Sequence, residues 1–274
     1  MPVIIPDSRY EMPELFIPGM KPVGVVEIDW EDSAKDYSLR TLAFPSTGGV
    51  ITYSRKSIEK KIAKPNGTDI GSTSDAHGIG ITGLTAASTQ TVQLEDGYTD
   101  TNAGDDGAYT PVGDNFSFLL ILKKNANGLT GSHPLFGVNS PTKEPYIAYG
   151  FGVDGDTDGI TFVLQTTTTY VSGNSVSLGG LAIDEYAVFM ATYDGSLTKG
   201  YKNGQWVGNS SVTGSIYYPS DNTTGAAMLN FYQYTGQNRL YPASIKLAAI
   251  FDRALTAEEV SAISANPYQF LIPG

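Results

Sequence analysis

Short runs of β-prone residues recur along this chain from Val23 to Phe251, and most of the runs are bounded on at least one side by glycine, proline, asparagine or aspartate. Such runs are typical of strands, and the turn residues between them favour antiparallel hairpins. Repeated strands with a single helical segment predict an all-β sandwich or jelly roll. Strands are predicted at Val23–Trp30, Val50–Tyr53, Phe116–Lys123, Tyr146–Val153, Ile160–Thr166, Tyr186–Tyr193, Lys199–Asn203, Gln205–Gly208, Leu229–Tyr234 and Ser244–Phe251.

Three of these regions carry the strongest local signals. Phe116–Lys123 is apolar almost throughout, which is typical of a strand that is buried on both faces. The dipeptide Asn203-Gly204 separates two short runs and fits a two-residue hairpin turn, because both central residues of that turn need positive φ angles. A second hairpin is predicted across Asp154–Gly159.

One helix is predicted near the C-terminus. Thr256 is a suitable N-cap, and Glu259 stands three residues further on, as in a capping box. Val260 and Ile263 fall on one helical face, and Asn266-Pro267 ends the helix. The helix is therefore short and has one apolar face with which to pack on a sheet.

Residues 1–22 differ from the rest of the chain. Proline recurs there every few residues, which disfavours both a helix and a central strand, yet the segment is too apolar for a solvated linker. We predict an extended N-terminal arm over residues 1–22 and a jelly-roll domain over residues 23–274. Whether the arm packs on its own domain or along a neighbouring subunit stays open. Its predicted partner-binding residues are Ile4, Ile5, Leu15, Phe16 and Ile17.

Two segments carry charge of opposite sign. Residues 55–64 are basic and are predicted to form a solvated loop or a short helix, whereas residues 95–114 are acidic and are predicted to form an exposed loop. The net charge of the whole chain is −11. Nucleic acid and anionic membranes both bind basic surfaces, so we expect neither as a partner.

The chain has no cysteine, which excludes disulfides, thiolate metal sites and a cysteine nucleophile. Its N-terminus shows no basic segment followed by an apolar run, so no signal peptide is predicted. No stretch approaches the roughly 20 apolar residues that cross a bilayer, so no membrane insertion is expected.

The turn Asp154–Gly159 matches the first half of a calcium-binding loop. Carboxylates at its first, third and fifth positions, with glycine at the sixth, suit a hard cation. The twelfth position is Gln165 rather than glutamate, however, and a tight hairpin turn uses the same residue types. Apart from calcium, no cofactor is expected, since two histidines supply few ligands for zinc. The candidate calcium ligands are Asp154, Asp156 and Asp158.

The last third of the chain resembles the laminin-G and pentraxin core. Tyr186–Tyr193 leads through Asp194-Gly195 into Tyr201–Val207, which has the form Tyr-x-Asn-Gly-x-x-Val. Ile245–Glu259 is similar to the closing strand and helix of those domains, with their Arg-Ala-Leu-(Ser/Thr)-x-x-Glu ending. The resemblance implies a laminin-G/concanavalin-A-like jelly roll, which is a sandwich of two antiparallel sheets.

Lys21–Trp30 and Ala265–Phe270 are similar to segments of laminin-G-like proteins from tailed phages and prophages, although Glu31-Asp32-Ser33 departs from their pattern. This resemblance implies a virion structural protein, which is a head (capsid) decoration protein or a head or tail fibre module, made in the host cytoplasm and displayed on the particle surface. The implied partners are the major capsid protein or another virion protein, further copies of the chain in a homo-oligomer, and a surface glycan. A carbohydrate-binding module and a tail adhesin are the alternatives.

Glu27, Asp29 and Glu31 alternate along a predicted strand, which places three carboxylates on one face. Retaining glycosidases use paired carboxylates, and laminarinase-like enzymes of this fold carry a similar Glu-x-Asp-x-Glu motif on a central strand. Here the motif directly follows the arm, and the chain has only Trp30 and Trp206 for stacking on sugars. We therefore predict that the protein is not an enzyme, with a glycoside hydrolase as the remaining alternative.

Overall fold

Sixteen strands and one helix lie in the part of the chain that the computed structural model describes. That part comprises residues 22–30, 37–43, 62–66, 70–75, 78–83, 91–94, 114–126, 133–139, 147–154, 159–169, 171–217, 225–228, 242–251 and 253–267. The elements are β1 (Pro22–Trp30), β2 (Tyr37–Ala43), β3 (Ile62–Asn66), β4 (Ile70–Asp75), β5 (Gly78–Gly83), β6 (Thr91–Leu94), β7 (Phe116–Lys124), β8 (His133–Asn139), β9 (Ile147–Asp154), β10 (Gly159–Leu164), β11 (Ser175–Gly180), β12 (Tyr186–Tyr193), β13 (Leu197–Lys202), β14 (Gln205–Ser211), β15 (Gly225–Met228), β16 (Ala243–Phe251) and α1 (Ala257–Ala265).

These strands form two antiparallel sheets that pack face to face. One sheet has the order β2-β1-β16-β7-β12-β13-β14, and the other has the order β11-β10-β9-β8-β15-β6. Strand β3 joins β2 to β6, so the hydrogen-bonded order is continuous around one side of the sandwich. Strand β11 lies over β13 and β14 on the other side. The fold is therefore the predicted concanavalin-A-like jelly roll of two antiparallel sheets with one short C-terminal helix.

Aromatic side chains fill the space between the two sheets. Phe118 of β7 lies 4.8 Å from Tyr149 of β9 and 5.6 Å from Phe162 of β10, measured between ring centroids. Phe151 stands edge-to-face on Phe162 at 5.1 Å. Each of these rings is buried, and rings in such tilted and edge-to-face contacts add to the stabilisation from burial. Strand β7 is buried on both faces, as the apolar run predicted.

Gly200 lets the two sheets approach closely where β11 lies over β13. A Cβ atom at this position would lie 2.6 Å from the Val176 Cγ1 atom and would also clash with the Leu178 side chain. Sheets that pack face to face are normally about 10 Å apart, a spacing that side chains on both inner faces fill. Here the absence of a side chain on one strand makes room for two aliphatic side chains of the other.

Helix α1 packs on the outer face of the first sheet, and its sequence signals are confirmed. The Thr256 side chain accepts a hydrogen bond from the Glu259 N–H, and the Glu259 carboxylate accepts one from the Thr256 N–H, which is a capping box. Val260 and Ile263 are buried. Glu259 also forms a bidentate ion pair with Arg253, with N–O distances of 2.7 and 2.6 Å. The ion pair and the capping box together fix the start of the helix, and we call the segment Arg253–Glu259 that forms them the latch.

The latch makes stability depend on pH in a defined direction. The hydrogen bonds from Arg253 lower the pKa of Glu259 and outweigh the opposing effect of burial. A carboxylate with a lowered pKa stabilises the folded state above its unfolded pKa of about 4.3, and this contribution is lost as pH falls through the folded pKa. Glutamine at this position keeps the cap but loses the charge. We expect Glu259→Gln to lower the free energy of unfolding by about 1 kcal/mol at pH 7.

Urea denaturation at pH 7 and at pH 3 checks this prediction. The gap between wild type and Glu259→Gln should be clear at pH 7 and should shrink at pH 3, because the wild-type carboxylate is then increasingly protonated. Glu258→Gln is the control for negative charge in the same helical turn: the pKa of Glu258 is also lowered, by hydrogen bonds at the helix start, but Glu258 makes no ion pair with Arg253. The loss of stability in Glu259→Gln beyond that in Glu258→Gln therefore measures the ion pair. A gap of the same size at both pH values would show that the charge of Glu259 does not stabilise the latch.

Several predicted elements differ from the structure or lie outside it. The basic segment 55–64 was predicted as a loop or helix, but its last residues, 62–64, belong to β3, which pairs with β2 and β6. That prediction was wrong there because β-sheet pairing is set by distant partners rather than by local charge. Strands β2, β4, β5, β6, β8, β11 and β15 were not predicted. The strands predicted at 50–53 and 229–234 lie outside the described residues.

Candidate functional site

The sandwich has two distinct ends, which the strand register defines. The chain enters the first sheet at Pro22, opposite Phe251, and this end also contains Ser117, which pairs with Phe251. We call it the arm end, because residues 1–21 precede Pro22. The opposite end contains the turn between Asp154 and Gly159, and Gly159 pairs with Gly180 at the end of β11. We call it the turn end.

Strand β1 lies in the interior of the first sheet, between β2 and β16. The strand that follows residues 1–21 is therefore hydrogen-bonded on both sides. The predicted partner-binding residues of the arm precede it and lie outside the described residues, so their role stays a prediction. They are Ile4, Ile5, Leu15, Phe16 and Ile17.

The carboxylate triplet is only partly described. Glu27 and Asp29 belong to β1, where the backbone register sets Glu27 opposite Arg40 and Asp29 opposite Ser38. Glu31 lies outside the described residues. The position of β1 also differs from what its place after the arm suggested, since β1 is an interior strand. The place of β1 in the chain did not reveal its place in the sheet, because one of its two neighbours, β16, comes from the far end of the sequence.

The candidate calcium ligands belong to the segment Asp154–Gly159, over which a hairpin is predicted. Asp154 is the last residue of β9 and pairs with Gly159, the first residue of β10, which confirms the hairpin. Asp156 and Asp158 lie outside the described residues, so calcium binding stays a prediction. Within the described ranges, no group of three or more histidine, aspartate or glutamate side chains is placed to hold a metal ion.

Ion pairs join the loop 181–185 to neighbouring strands at the turn end. Lys123 pairs with Asp184 at 3.0 Å, and Lys202 pairs with Glu185 at 3.3 Å and donates a hydrogen bond to the Gly180 carbonyl. The Ala182 N–H bonds to the Glu185 carboxylate and is the main cause of a lowered pKa of Glu185. The two ion pairs join β7 and β13 to the loop between β11 and β12, and the hydrogen bond to Gly180 joins β13 of one sheet to β11 of the other.

Trp206, on the outer side of β14, is the most exposed large apolar side chain of the described residues, with 61% of its surface accessible. Its neighbour Val207 is 43% exposed. Sequence analysis noted Trp206 only for the low number of tryptophans. Nothing in the Gln205-Trp206-Val207 sequence indicated this exposure.

No helix in the described ranges is long and apolar enough to cross a membrane.

A family profile described as the concanavalin A-like lectin/glucanases superfamily matches residues 95–261. No curated protein sequence matches the chain. Among solved structures, Trypanosoma rangeli sialidase in complex with the inhibitor DANA is similar with a TM-score of 0.55 and 9% identity, covering 92% of this chain and 34% of the sialidase. The receptor-binding domain of botulinum neurotoxin type G has a TM-score of 0.53 and 15% identity, covering 89% of this chain and 51% of that chain.

This chain therefore spans about a third of the sialidase and about half of the toxin domain. At such low identities the likeness to these two proteins is one of fold alone.

Proposed function

The chain belongs to the concanavalin A-like lectin/glucanases superfamily, and from this premise we propose that it is a non-catalytic virion structural protein that decorates a phage head. In this proposal its N-terminal arm attaches the protein to the major capsid protein or another virion protein. The jelly roll is displayed on the particle surface, and several copies form a homo-oligomer.

One observation carries the proposal, which is the connection of the arm to an interior strand. Pro22 begins β1, and β1 is hydrogen-bonded to both β2 and β16. A pull on an arm that is joined to an interior strand is resisted by the hydrogen bonds on both sides of that strand. A frayed edge strand is hydrogen-bonded to a single neighbour and can separate from it. Because the arm leaves the domain at the arm end, attachment through the arm would leave the turn end, with the Asp154–Gly159 hairpin, facing away from the particle.

The virion context is supported by the two segments that resemble phage proteins. Lys21–Trp30 contains β1, and Ala265–Phe270 begins at the last residue of α1. Both segments lie outside residues 95–261, which the family profile matches, so their resemblance is separate from that match. The net charge of −11 fits a protein that docks on a basic surface or stays soluble at high local concentration.

A non-catalytic role is supported by the arrangement of the carboxylates in the sequence. Glu27, Asp29 and Glu31 alternate along one short segment directly after the arm, and the chain has only Trp30 and Trp206 for stacking on sugars. A retaining glycosidase instead requires two carboxyl groups that face each other across a cleft, about 5–5.5 Å apart.

Quantitative mass spectrometry of purified particles tests the proposal. A head decoration protein should be present at hundreds of copies, in a fixed ratio to the major capsid protein. A handful of copies per particle would place it on the tail and would favour the adhesin alternative. Its absence from particles would refute the virion proposal. Release of reducing sugar from a β-glucan panel would refute the non-catalytic role.

A further inference from the structure

One side of the sandwich ends in two strands that have a neighbour on one edge only. Strands β11 and β14 are the two ends of the hydrogen-bonded order, and among the described strands β11 pairs with β10 alone and β14 with β13 alone. We call the surface formed by β11, β14 and residues 171–174, which precede β11, the open side. A terminal strand presents a row of backbone N–H and C=O groups that no neighbouring strand uses.

Contacts between the sheets make the open side a single surface. The Ser210 hydroxyl of β14 donates a hydrogen bond to the Gly173 carbonyl at 2.8 Å. A Cβ atom at Gly208 of β14 would lie 3.6 Å from the Val176 Cγ1 atom of β11, which is ordinary van der Waals contact. The two terminal strands therefore lie next to each other, although they belong to different sheets.

The open side carries no charged residue. Strand β11 reads Ser-Val-Ser-Leu-Gly-Gly, and β14 reads Gln-Trp-Val-Gly-Asn-Ser-Ser. They lie within the sequence segments 159–183 and 203–220, which contain no aspartate, glutamate, lysine or arginine, although these residues make up 16% of the chain. Proteins commonly protect an edge strand from other chains with lysine or proline. Both of these residues are missing from β11 and β14, so their edges are open to pairing with another chain.

Large apolar side chains are exposed on the same surface. Trp206, Val207 and Val171 are 61%, 43% and 41% exposed, and the remaining exposed large apolar side chain of the described residues is Ile183, at the turn end. The centre of a protein interface is typically poor in charge and rich in aromatic and aliphatic groups. The open side has this composition.

A β-bulge exposes two of these side chains together. In the register of β13 and β14, Tyr201 pairs with Trp206 and Gly200 pairs with Gly208, so Val207 is an extra residue on β14. A bulge leaves two residues opposite one and re-aims their side chains, whereas a regular strand turns one of two neighbours inward. The register is regular from Gly208 to Ser211, so a further strand can pair with that part of β14.

We propose that the open side binds the open side of a second copy of this chain about a two-fold axis, with the two β14 strands side by side and antiparallel. In such an isologous contact the same patch is used twice, so each copy covers Trp206 and Val207 of the other. The inference rests on the proposed function only in expecting a homo-oligomer, whose surface it names, and it depends on neither the arm nor the virion.

Electrostatics favour a second copy over a partner of opposite charge. Two copies with a net charge of −11 each repel, and the repulsion is weakest where the facing surfaces carry no acidic group. Strand β13, the neighbour of β14, contributes lysines but no acidic residue. A basic partner would gain nothing from an uncharged surface and would be attracted to the acidic segment 95–114 instead.

Sedimentation velocity of the full-length protein over a concentration series tests the interface. We expect a dimer, or an assembly built of dimers, at micromolar concentrations. Raising sodium chloride from about 50 mM to about 500 mM should leave the association unchanged or strengthen it, because salt screens the repulsion between acidic copies and this contact has no ion pairs to weaken. A monomer at every concentration, or association that weakens in salt, would overturn the proposal.

Two lysine substitutions separate the open side from the rest of the surface. Val207→Lys places a charge on both copies where the β14 strands meet and should raise the dissociation constant of the dimer at least tenfold. Ile183→Lys is the matched control, because Ile183 is 48% exposed and forms a bridge with Lys124 of β7, which β12 and β13 separate from β14. Both variants should melt near the wild-type temperature. An unchanged dissociation constant in Val207→Lys, or an equal rise in both variants, would contradict the proposed interface.

Hydrogen exchange on the unmodified protein gives a measurement that needs no variant. Amides of residues 208–211 should exchange more slowly at concentrations at which the dimer predominates than at concentrations at which the monomer does, and equal exchange would count against the interface. The full-length variant with Leu15, Phe16 and Ile17 replaced by serine should remain a dimer, although the arm proposal expects it to lose attachment to particles. Loss of the dimer in that variant would place the contact between copies in the arm, so the two proposals fail separately.

Discussion

Gly137→Ala is expected to lower the free energy of unfolding by about 3 kcal/mol, which for a chain of this size lowers the melting temperature by roughly 6–12 °C. Gly137 of β8 pairs directly with Gly150 of β9. A Cβ atom at position 137 would clash with the Tyr149 carbonyl oxygen and would lie 2.5 Å from the Gly150 Cα atom. Both obstacles are backbone atoms, so no side chain can rotate away to relieve the clash.

The neighbouring residues prevent the strands from moving apart. Phe136 precedes Gly137 and Phe151 follows Gly150, and both aromatic side chains are buried. Separating β8 from β9 would pull these rings out of a tightly packed core, where small displacements cost free energy. The strain of an added methyl group therefore remains in the folded state.

Thermal melts followed by circular dichroism check this prediction, with Gly173→Ala as the matched control. A Cβ atom at Gly173 would meet nothing within 4 Å, so the same chemical change there should shift the melting temperature little, or raise it slightly by restricting the unfolded chain. Equal melting temperatures for Gly137→Ala and wild type would mean that β8 and β9 are less closely paired than the structure has them.

Local sequence signals predicted the elements whose stability is local. The hairpin turn at Asn203-Gly204 and the capping box of Thr256 and Glu259 depend on residues within a few positions of each other. The strand β7 was predicted correctly because an apolar run that long must be buried on both sides. In each case one physical requirement of the conformation selects the residue types.

Strands that depend on distant partners were missed. Strand β11 reads Ser-Val-Ser-Leu-Gly-Gly and carries a weak apolar pattern, but Val176 and Leu178 fit into the space left by Gly200 on β13. Short strands such as β15 gain their stability from β8 and β6 on either side. Such pairing is a property of the assembled sheet, and no window of the sequence contains it.

The candidate site also combines features that local sequence determines with features that depend on the pairing of strands. The exposure of Trp206 follows from a one-residue offset between β13 and β14, and nothing in the Gln205-Trp206-Val207 sequence specifies that offset. The interior position of β1 also had to come from the structure, since its neighbours β2 and β16 lie at opposite ends of the chain. The sequence contained the chemistry of the candidate residues, whereas their exposure and neighbours are consequences of topology.

Deletion of residues 1–21 is expected to abolish attachment to the particle while leaving a soluble domain that melts cooperatively. The truncated chain begins at Pro22, the first residue of β1, so every described strand is retained. The arm's apolar side chains would each contribute on the order of 1.5–3 kcal/mol to binding if fully covered by a partner. Proline reduces the conformational entropy that the arm loses on ordering, so an extended segment can bind at a lower cost.

Particles assembled without this protein, mixed with purified variants and sedimented, provide the measurement. Replacing Leu15, Phe16 and Ile17 together with serine should reproduce the loss of binding, whereas replacing Arg9 and Glu14 with glutamine is the matched polar control and should preserve it. Aggregation or non-cooperative melting of the truncated chain would show that the arm belongs to the core of its own domain. Wild-type occupancy by a well-folded truncated chain would place the attachment surface on the jelly roll, and the acidic segment 95–114 would become the next region to test, because its charge suits a basic partner.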